Sequence, residues 1–253
     1  MNAPLAGRVI LVTRPVHQSA ALAEGIRAAG GEALLFPALE IVPVEPQSLA
    51  PLLTRLSDFD VAIFISPNAA RFGMAAVREV ATLPDEIEVF AVGPGTAKTL
   101  ETLGLSGVTV PPGQDSEALL ALPRLEQVAG KRIAIFRGVG GRPLLADTLR
   151  ARGATVDYVE CYRRRCPEAD AGPLLQRWGE LSAVTIASAE TLHNLAAMLG
   201  DGGAGRLRAT PLFVPHAKIA EAARMSGMAE VIVTAGGDAG LLQGLINWFR
   251  EHP

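Results

Sequence analysis

The chain has 253 residues, 49% of them hydrophobic, with a formal net charge of −3 and two cysteines. That apolar content excludes global disorder, and the mild charge without a polybasic block excludes a dedicated nucleic-acid binder. Runs such as VAIFI (61–65) are far too short to span a bilayer, and the start MNAPLAG lacks the layout of a secretory leader, so a cytoplasmic protein is expected.

Along the chain, short apolar runs alternate with helical patterns: RVILVT, VAIFIS, EVFAVG, RIAIF, AVTIA, PLFV and EVIVT. They are nearly continuous in Val, Ile and Phe, which predicts parallel strands covered on both faces and βαβ units. The first run ends in Thr-Arg-Pro and puts Arg14 at a strand's carboxyl end. ALEIVPVEP (38–46) then breaks the rhythm; it reads as extended, since its prolines exclude a helix interior. FISPNAARF starts a helix, with Ser66 as its N-cap and Asn68 in the first turn. EVFAVG leads into Gly-Pro-Gly-Thr (93–96). There Gly93 and Gly95 let a ligand approach the backbone, Pro94 suits a first helical turn, and Thr96 offers a hydroxyl. The turn lacks the Gly-Lys-Ser/Thr of a P-loop, and it also reads as an ordinary βα connection.

RIAIF runs into RGVGGRP (137–143). Gly138 and Gly140 match a dinucleotide fingerprint, but Pro143 stands where its third glycine belongs, which argues against a Rossmann cofactor. What remains is a glycine turn flanked by Arg137 and Arg142, suited to an anion or simply to solvent. CYRRRCPEAD (161–170) is the second break. Its Tyr162 lies beside three arginines; the phenol either donates a hydrogen bond in a cleft or packs a hinge. SAETLHNL supplies a second N-cap, Ser188. First-turn N–H groups suit carboxylates, although capping alone accounts for both serines. The four histidines and two cysteines make no metal-ligand spacing.

Comparison of the chain with itself shows a repeat. GRVILVTRP (7–15) aligns with GKRIAIFRG (130–138) at a shift of 123 residues, which also carries Gly30 onto Gly153 and Asp115 onto Asp238. The two breaks are equivalent under the same shift and are candidate crossings between domains. Cutting there gives a discontinuous α/β domain (1–38 and 168–253), an inserted one (45–160) and crossings at 39–44 and 161–167. A cut near Ala129, between the copies, is the other division.

Taken together and in order, TRP (13–15), FISPNAARF, VGPGTAKTL, RGVGGRPLLADTLRARGATVDYVECYRR and IASAETLHNL resemble the uroporphyrinogen-III synthase family over nearly the whole chain. The resemblance implies two flavodoxin-like, doubly wound parallel-sheet domains from an internal duplication, joined by a two-stranded linker. It implies a cofactor-free, metal-free hydro-lyase of tetrapyrrole and haem biosynthesis. Hydroxymethylbilane would be cyclised to uroporphyrinogen III, with inversion of the last ring through a spiro intermediate. This substrate carries eight carboxylates, so a chain of net charge −3 must hold it by local donors. Transferred by position, Tyr162 and Thr96 are the catalytic candidates. Arg14, Ser66, Asn68, Gly93, Gly95, Arg137, Gly138 and Ser188 are the substrate-binding ones. Relatives often carry a second Gly-Pro-Thr-Thr-like turn; this chain has VPHAKIAEA instead, so Lys218, beside His216, is expected to supply a charge there. A monomer is implied, fed by hydroxymethylbilane synthase, with no nucleic-acid or membrane partner. From the residues alone, a two-lobed small-anion binding protein or sensor and a flavodoxin-like electron carrier are the alternatives.

Overall fold

The structure, a computed structural model, describes residues 3–252. Met1, Asn2 and Pro253, at the ends of the expected discontinuous domain, lie outside the described residues.

The chain begins with β1 (Val9–Val12), α1 (Ala20–Ala28), β2 (Glu32–Leu35) and β3 (Glu40–Pro43). There follow α2 (Pro46–Leu53), β4 (Val61–Phe64), α3 (Pro67–Val80), β5 (Glu88–Ala91) and α4 (Pro94–Thr102). Two short helices, α5 (Ser116–Leu120) and α6 (Pro123–Glu126), precede β6 (Arg132–Gly138), α7 (Leu144–Ala151) and the long β7 (Thr155–Arg165). Next are α8 (Gly172–Arg177), β8 (Leu181–Thr185), α9 (Ala189–Ala209) and β9 (Leu212–Val214). The last elements are α10 (Ala217–Met225), β10 (Val231–Val233) and α11 (Gly237–Glu251).

Contacts divide the chain into two units. One runs up to Glu40 and resumes at Arg165; the other is Ile41–Arg164. The first sheet has the order β10-β9-β8-β1-β2, and its strands pair in parallel. Counted from β1, this is the 2-1-3-4-5 order of a doubly wound α/β sheet. The second sheet, β5-β4-β6-β7-β3, follows the same order when β4 is counted first. Its outer position is filled by β3, which enters the unit ahead of β4.

The crossings pair with each other, as the resemblance implies, but the pair is continuous with the second sheet. β7 runs unbroken from Thr155 and β3 lies beside it, so both are strands of the second sheet. Pro46, grouped above with the extended stretch, instead opens α2, where its missing N–H is no loss.

Each sheet buries both faces, as the apolar runs require. In the first unit, Leu195, Leu199 and Leu207 of α9 pack with Trp178 on one face. Leu22 and Ile26 of α1 and Leu241 and Leu245 of α11 close over Phe213 on the other. In the second, α2, α3 and α4 cover Phe64 and Phe136, whose rings stack across β4 and β6 with centroids 4.3 Å apart. α5, α6 and α7 cover Ile63 and Ile135 on the opposite face. This layering leaves one edge of each sheet, at the carboxyl ends of its strands, for the loops that carry function.

Candidate active site

At the carboxyl edge of the second sheet, β4, β5, β6 and β7 bring together most of the residues selected from sequence. β4 ends at Phe64 and leads to Ser66, whose Oγ accepts the Ala69 N–H at 3.1 Å and so caps α3. Asn68 is half-buried in the same first turn. The Tyr162 hydroxyl lies 3.3 Å from Ser66 Oγ. Its ring is buried, tilted against Phe72 with centroids 5.8 Å apart.

A bulge aims this ring. β7 pairs with β6 in simple register through Arg137↔Glu160, and the next pair is Gly138↔Tyr162, so Cys161 has no partner. Side chains alternate along a strand, and Tyr158 lies on the face covered by α5, α6 and α7. Without the extra residue Tyr162 would follow it there. With it, Tyr162 joins Val159 and Cys161 on the α3 face. The Cys161 thiol donates to the carbonyls of Arg137 (3.4 Å) and Ala69 (3.6 Å), and burial pushes its pKa up to about 12. It is a protonated packing group and no nucleophile.

Gly138 is required by the ring. A Cβ there would fall 2.6 Å from Tyr162 Cε2 and 2.7 Å from Cζ, although the glycine's backbone is of a kind any residue adopts.

α4 differs from α3 in having no side-chain cap. Gly93 is its N-cap in extended backbone, and the Gly93 carbonyl takes the N–H groups of Thr96 and Ala97. Pro94 has no N–H, so Gly95 carries the first donor of the turn. A Cβ on Gly95 would meet only Pro67 Cγ, at 3.9 Å, and its φ is not in the left-handed region. The glycine therefore answers no demand of the backbone; it leaves room in front of the turn. Thr96 is buried at the base of that turn.

The turn after β6 uses its arginine differently from the expectation of a guanidinium offered to a ligand. Arg137 is buried and lies over the Tyr158 ring, 4.4 Å from its centroid. Its Nε donates to the Gly138 carbonyl at 3.2 Å, and Nη2 donates to the Gly140 carbonyl. Glu160, a residue the sequence did not single out, accepts the Gly140 N–H at 3.2 Å.

The first unit has its own set at the carboxyl edge of its sheet. Arg14 follows β1 and pairs with Asp238 in the first turn of α11 at 2.5 Å, both side chains largely shielded. Ser188 caps α9, accepting the Thr191 N–H at 3.0 Å and sharing a 2.8 Å hydrogen bond with the Thr191 hydroxyl. Lys218 is exposed in the first turn of α10, whose N-cap His216 makes no side-chain capping bond. Asp238 was visible in the repeat, as the partner of Asp115, but its pairing with Arg14 had no local signal. Among the described residues no cluster of His, Cys, Asp and Glu could hold a metal ion, and no helix is long and apolar enough to cross a membrane.

The family model for uroporphyrinogen-III synthase HemD matches residues 20–240. Curated uroporphyrinogen-III synthases resemble the chain closely: that of Salmonella typhimurium is 39% identical over 191 residues, covering 74% of this chain and 78% of its own length. That of Escherichia coli is 38% identical over 199 residues, 75% and 79% of the two chains. In fold, the chain is similar to a uroporphyrinogen III synthase of Thermus thermophilus, with TM-score 0.63 and 18% identity over 97% of this chain and all of that one. The Helicobacter pylori enzyme gives TM-score 0.57 and 13% identity, covering 97% of this chain and 100% of its own. With the family's motifs gathered at the carboxyl edges of two parallel sheets and the match running through most of its length, this chain belongs to the uroporphyrinogen-III synthase family.

Proposed function

We propose that the protein is a uroporphyrinogen-III synthase, converting hydroxymethylbilane to uroporphyrinogen III and water. The family match over residues 20–240 carries this reading. The pyrroles supply the electrons. Loss of the ring A hydroxyl as water leaves an electrophilic azafulvene, which the substituted carbon of ring D attacks to form the spiro intermediate. The bond from ring D to the neighbouring bridge then breaks, and ring D recloses through its free carbon, inverted. A proton lost from that carbon restores the aromatic pyrrole. The protein chiefly holds reacting carbons in place, an effect of orientation and entropy.

Tyr162 is the group assigned to the departing hydroxyl, because its phenol reaches the carboxyl edge beside Ser66. Carboxylates fall to donors that the fold leaves unsatisfied. The uncapped first turn of α4 with Thr96, Gly93 and Gly95 is one such place; the first turn of α10 with Lys218 is another. Arg14 keeps a buried Nε without an acceptor, a donor suited to a carboxylate. Ser66, Asn68, Gly138 and Ser188 shape the turns around them.

The two units read as copies of one ancestral α/β element that have exchanged strands. Under the 123-residue shift, the pair Val9↔Glu32 of β1 and β2 falls on Arg132↔Thr155 of β6 and β7. The Val9 N–H bonded to Ser182 Oγ corresponds to the Arg132 N–H bonded to Asp60 Oδ2. Both observations support duplication.

The deciding experiment couples the purified protein to hydroxymethylbilane synthase and identifies the porphyrin isomer after oxidation. Type III in excess over the uncatalysed type I is expected. Type I alone, with hydroxymethylbilane bound and released unchanged, would make the protein a binding module.

A further inference from the structure

The buried guanidinium of Arg137, at the end of β6, has no role in the scheme above. Arg137 is 5% exposed, and a charge so placed needs dedicated partners. Those partners are all local: the carbonyls of Gly138 and Gly140, the face of Tyr158, and the Glu160 carboxylate 3.9 Å from Nε. Each belongs either to the glycine turn or to the β7 segment just before the bulge. The turn is bound to β7 on both sides of the bulge as well, by the Gly140 N–H on Glu160 and the Val139 N–H on the Tyr162 carbonyl at 2.8 Å. Gly140 and Gly141 adopt φ of 74° and 103°, and a Cβ on Gly141 would lie 2.5 Å from Arg137 Nη2. The turn is thus wrapped closely around the guanidinium.

These contacts bracket the place where the strand register slips. Before the bulge, Glu160 is held by Arg137 and Gly140; after it, Tyr162 is held by Val139. Taking up the extra residue at Cys161, before Tyr162 rather than after it, is what turns Tyr162 toward Ser66.

We propose that Arg137 is a positioning residue: with Glu160 it clamps the glycine turn to β7 and so fixes the bulge that aims the Tyr162 hydroxyl. The proposal rests on Tyr162 being the reacting phenol only in its kinetic consequence. Lysine cannot replace the arginine, because an ammonium cannot fork between two carbonyls while lying flat on Tyr158.

The chain has two tyrosines, which makes the test direct. Protein labelled with 3-fluorotyrosine should give two fluorine resonances, assigned through Tyr158→Phe. In Arg137→Lys and Arg137→Met the Tyr162 resonance should shift or split. Turnover should fall about tenfold or more, with KM within about threefold of wild type. In a Tyr162→Phe background, Arg137→Met should cost less than about threefold more, since both changes act through one hydroxyl. If Arg137→Met does not fold by circular dichroism, Glu160→Ala, at a half-exposed position, takes its place with the same expected shift. An unmoved Tyr162 resonance would overturn the proposal. So would a rise in KM at constant kcat that lysine largely repairs, which would make Arg137 a carboxylate ligand. A moved resonance alongside full turnover by Tyr162→Phe would keep the clamp and remove Tyr162 from the chemistry.

Discussion

Tyr162 faces α3 because Cys161 has no partner on β6, and it lies flat because Gly138 has no side chain. Two substitutions separate hydroxyl from ring. Tyr162→Phe keeps the packing and removes the donor; kcat should fall about tenfold to a hundredfold with thermal stability little changed. Gly138→Ala keeps the hydroxyl but drives a methyl into the ring, and should cost about 1–3 kcal/mol of stability as well as turnover. Stopped-flow single-turnover kinetics beside thermal melts distinguish the two. Gly95 presents the opposite case. Its Cβ position is open, so Gly95→Val should fold normally, yet the branched side chain would occupy the space before the first turn of α4. KM should rise about threefold to thirtyfold, a loss of uniform binding, with kcat little affected. A variant that melts early instead would return Gly95 to a purely structural role.

At the scale of elements, capping separates two kinds of helix start. α3 and α9 satisfy a first-turn amide with their own serine, whereas α4 and α10 have no side-chain cap. Ser66→Ala should therefore cost about 1 kcal/mol of stability through the lost cap and also free the Tyr162 hydroxyl. The opposite, amino edge of the second sheet is tied by Asp60. Its carboxylate accepts the Arg132 N–H at 2.8 Å and Lys131 Nζ at 3.0 Å, and these bonds hold its pKa below the ordinary 3.8. A depressed carboxylate contributes stability that is present above its unfolded pKa and lost as pH falls through the folded one. Wild type should thus exceed Asp60→Asn in stability at neutral pH, and the two should converge as pH drops below 3.8. Urea titrations across that range give the difference directly; a gap that stays constant into acid would rule out the charge as its source.

For the whole molecule, the buried clusters respect the division into units. Among the described residues, two belong to the unit that runs up to Glu40 and resumes at Arg165, and two to Ile41–Arg164. A unit with its own core can unfold as its own cooperative transition. Calorimetry should return an unfolding enthalpy larger than the van't Hoff value. Phe136→Ala, which removes one ring of the Phe64–Phe136 stack, should lower one component by about 3–5 kcal/mol and leave the other in place. A single transition displaced as a whole would show that the units unfold together.

The strand runs, the serine caps and the helix start at Gly-Pro-Gly-Thr were legible in the chain because each depends on neighbours a few residues away. Continuous Val, Ile and Phe specify a strand buried on both faces, and a serine before a helical pattern specifies its own capping bond. The repeat and the family motifs were legible for a similar reason, since order and spacing are properties of the chain itself. β2 escaped notice: Glu32–Leu35 is four residues long with one buried side chain, too little pattern to stand out from a loop. Tertiary structure alone decided the direction of Tyr162, which hangs on where β7 slips against β6. It also decided that Arg137 turns inward to its own loop and that Arg14 finds Asp238 at the far end of the chain. A bulge or an ion pair depends on which backbone lies opposite in space, and that partner is chosen only when the sheets assemble.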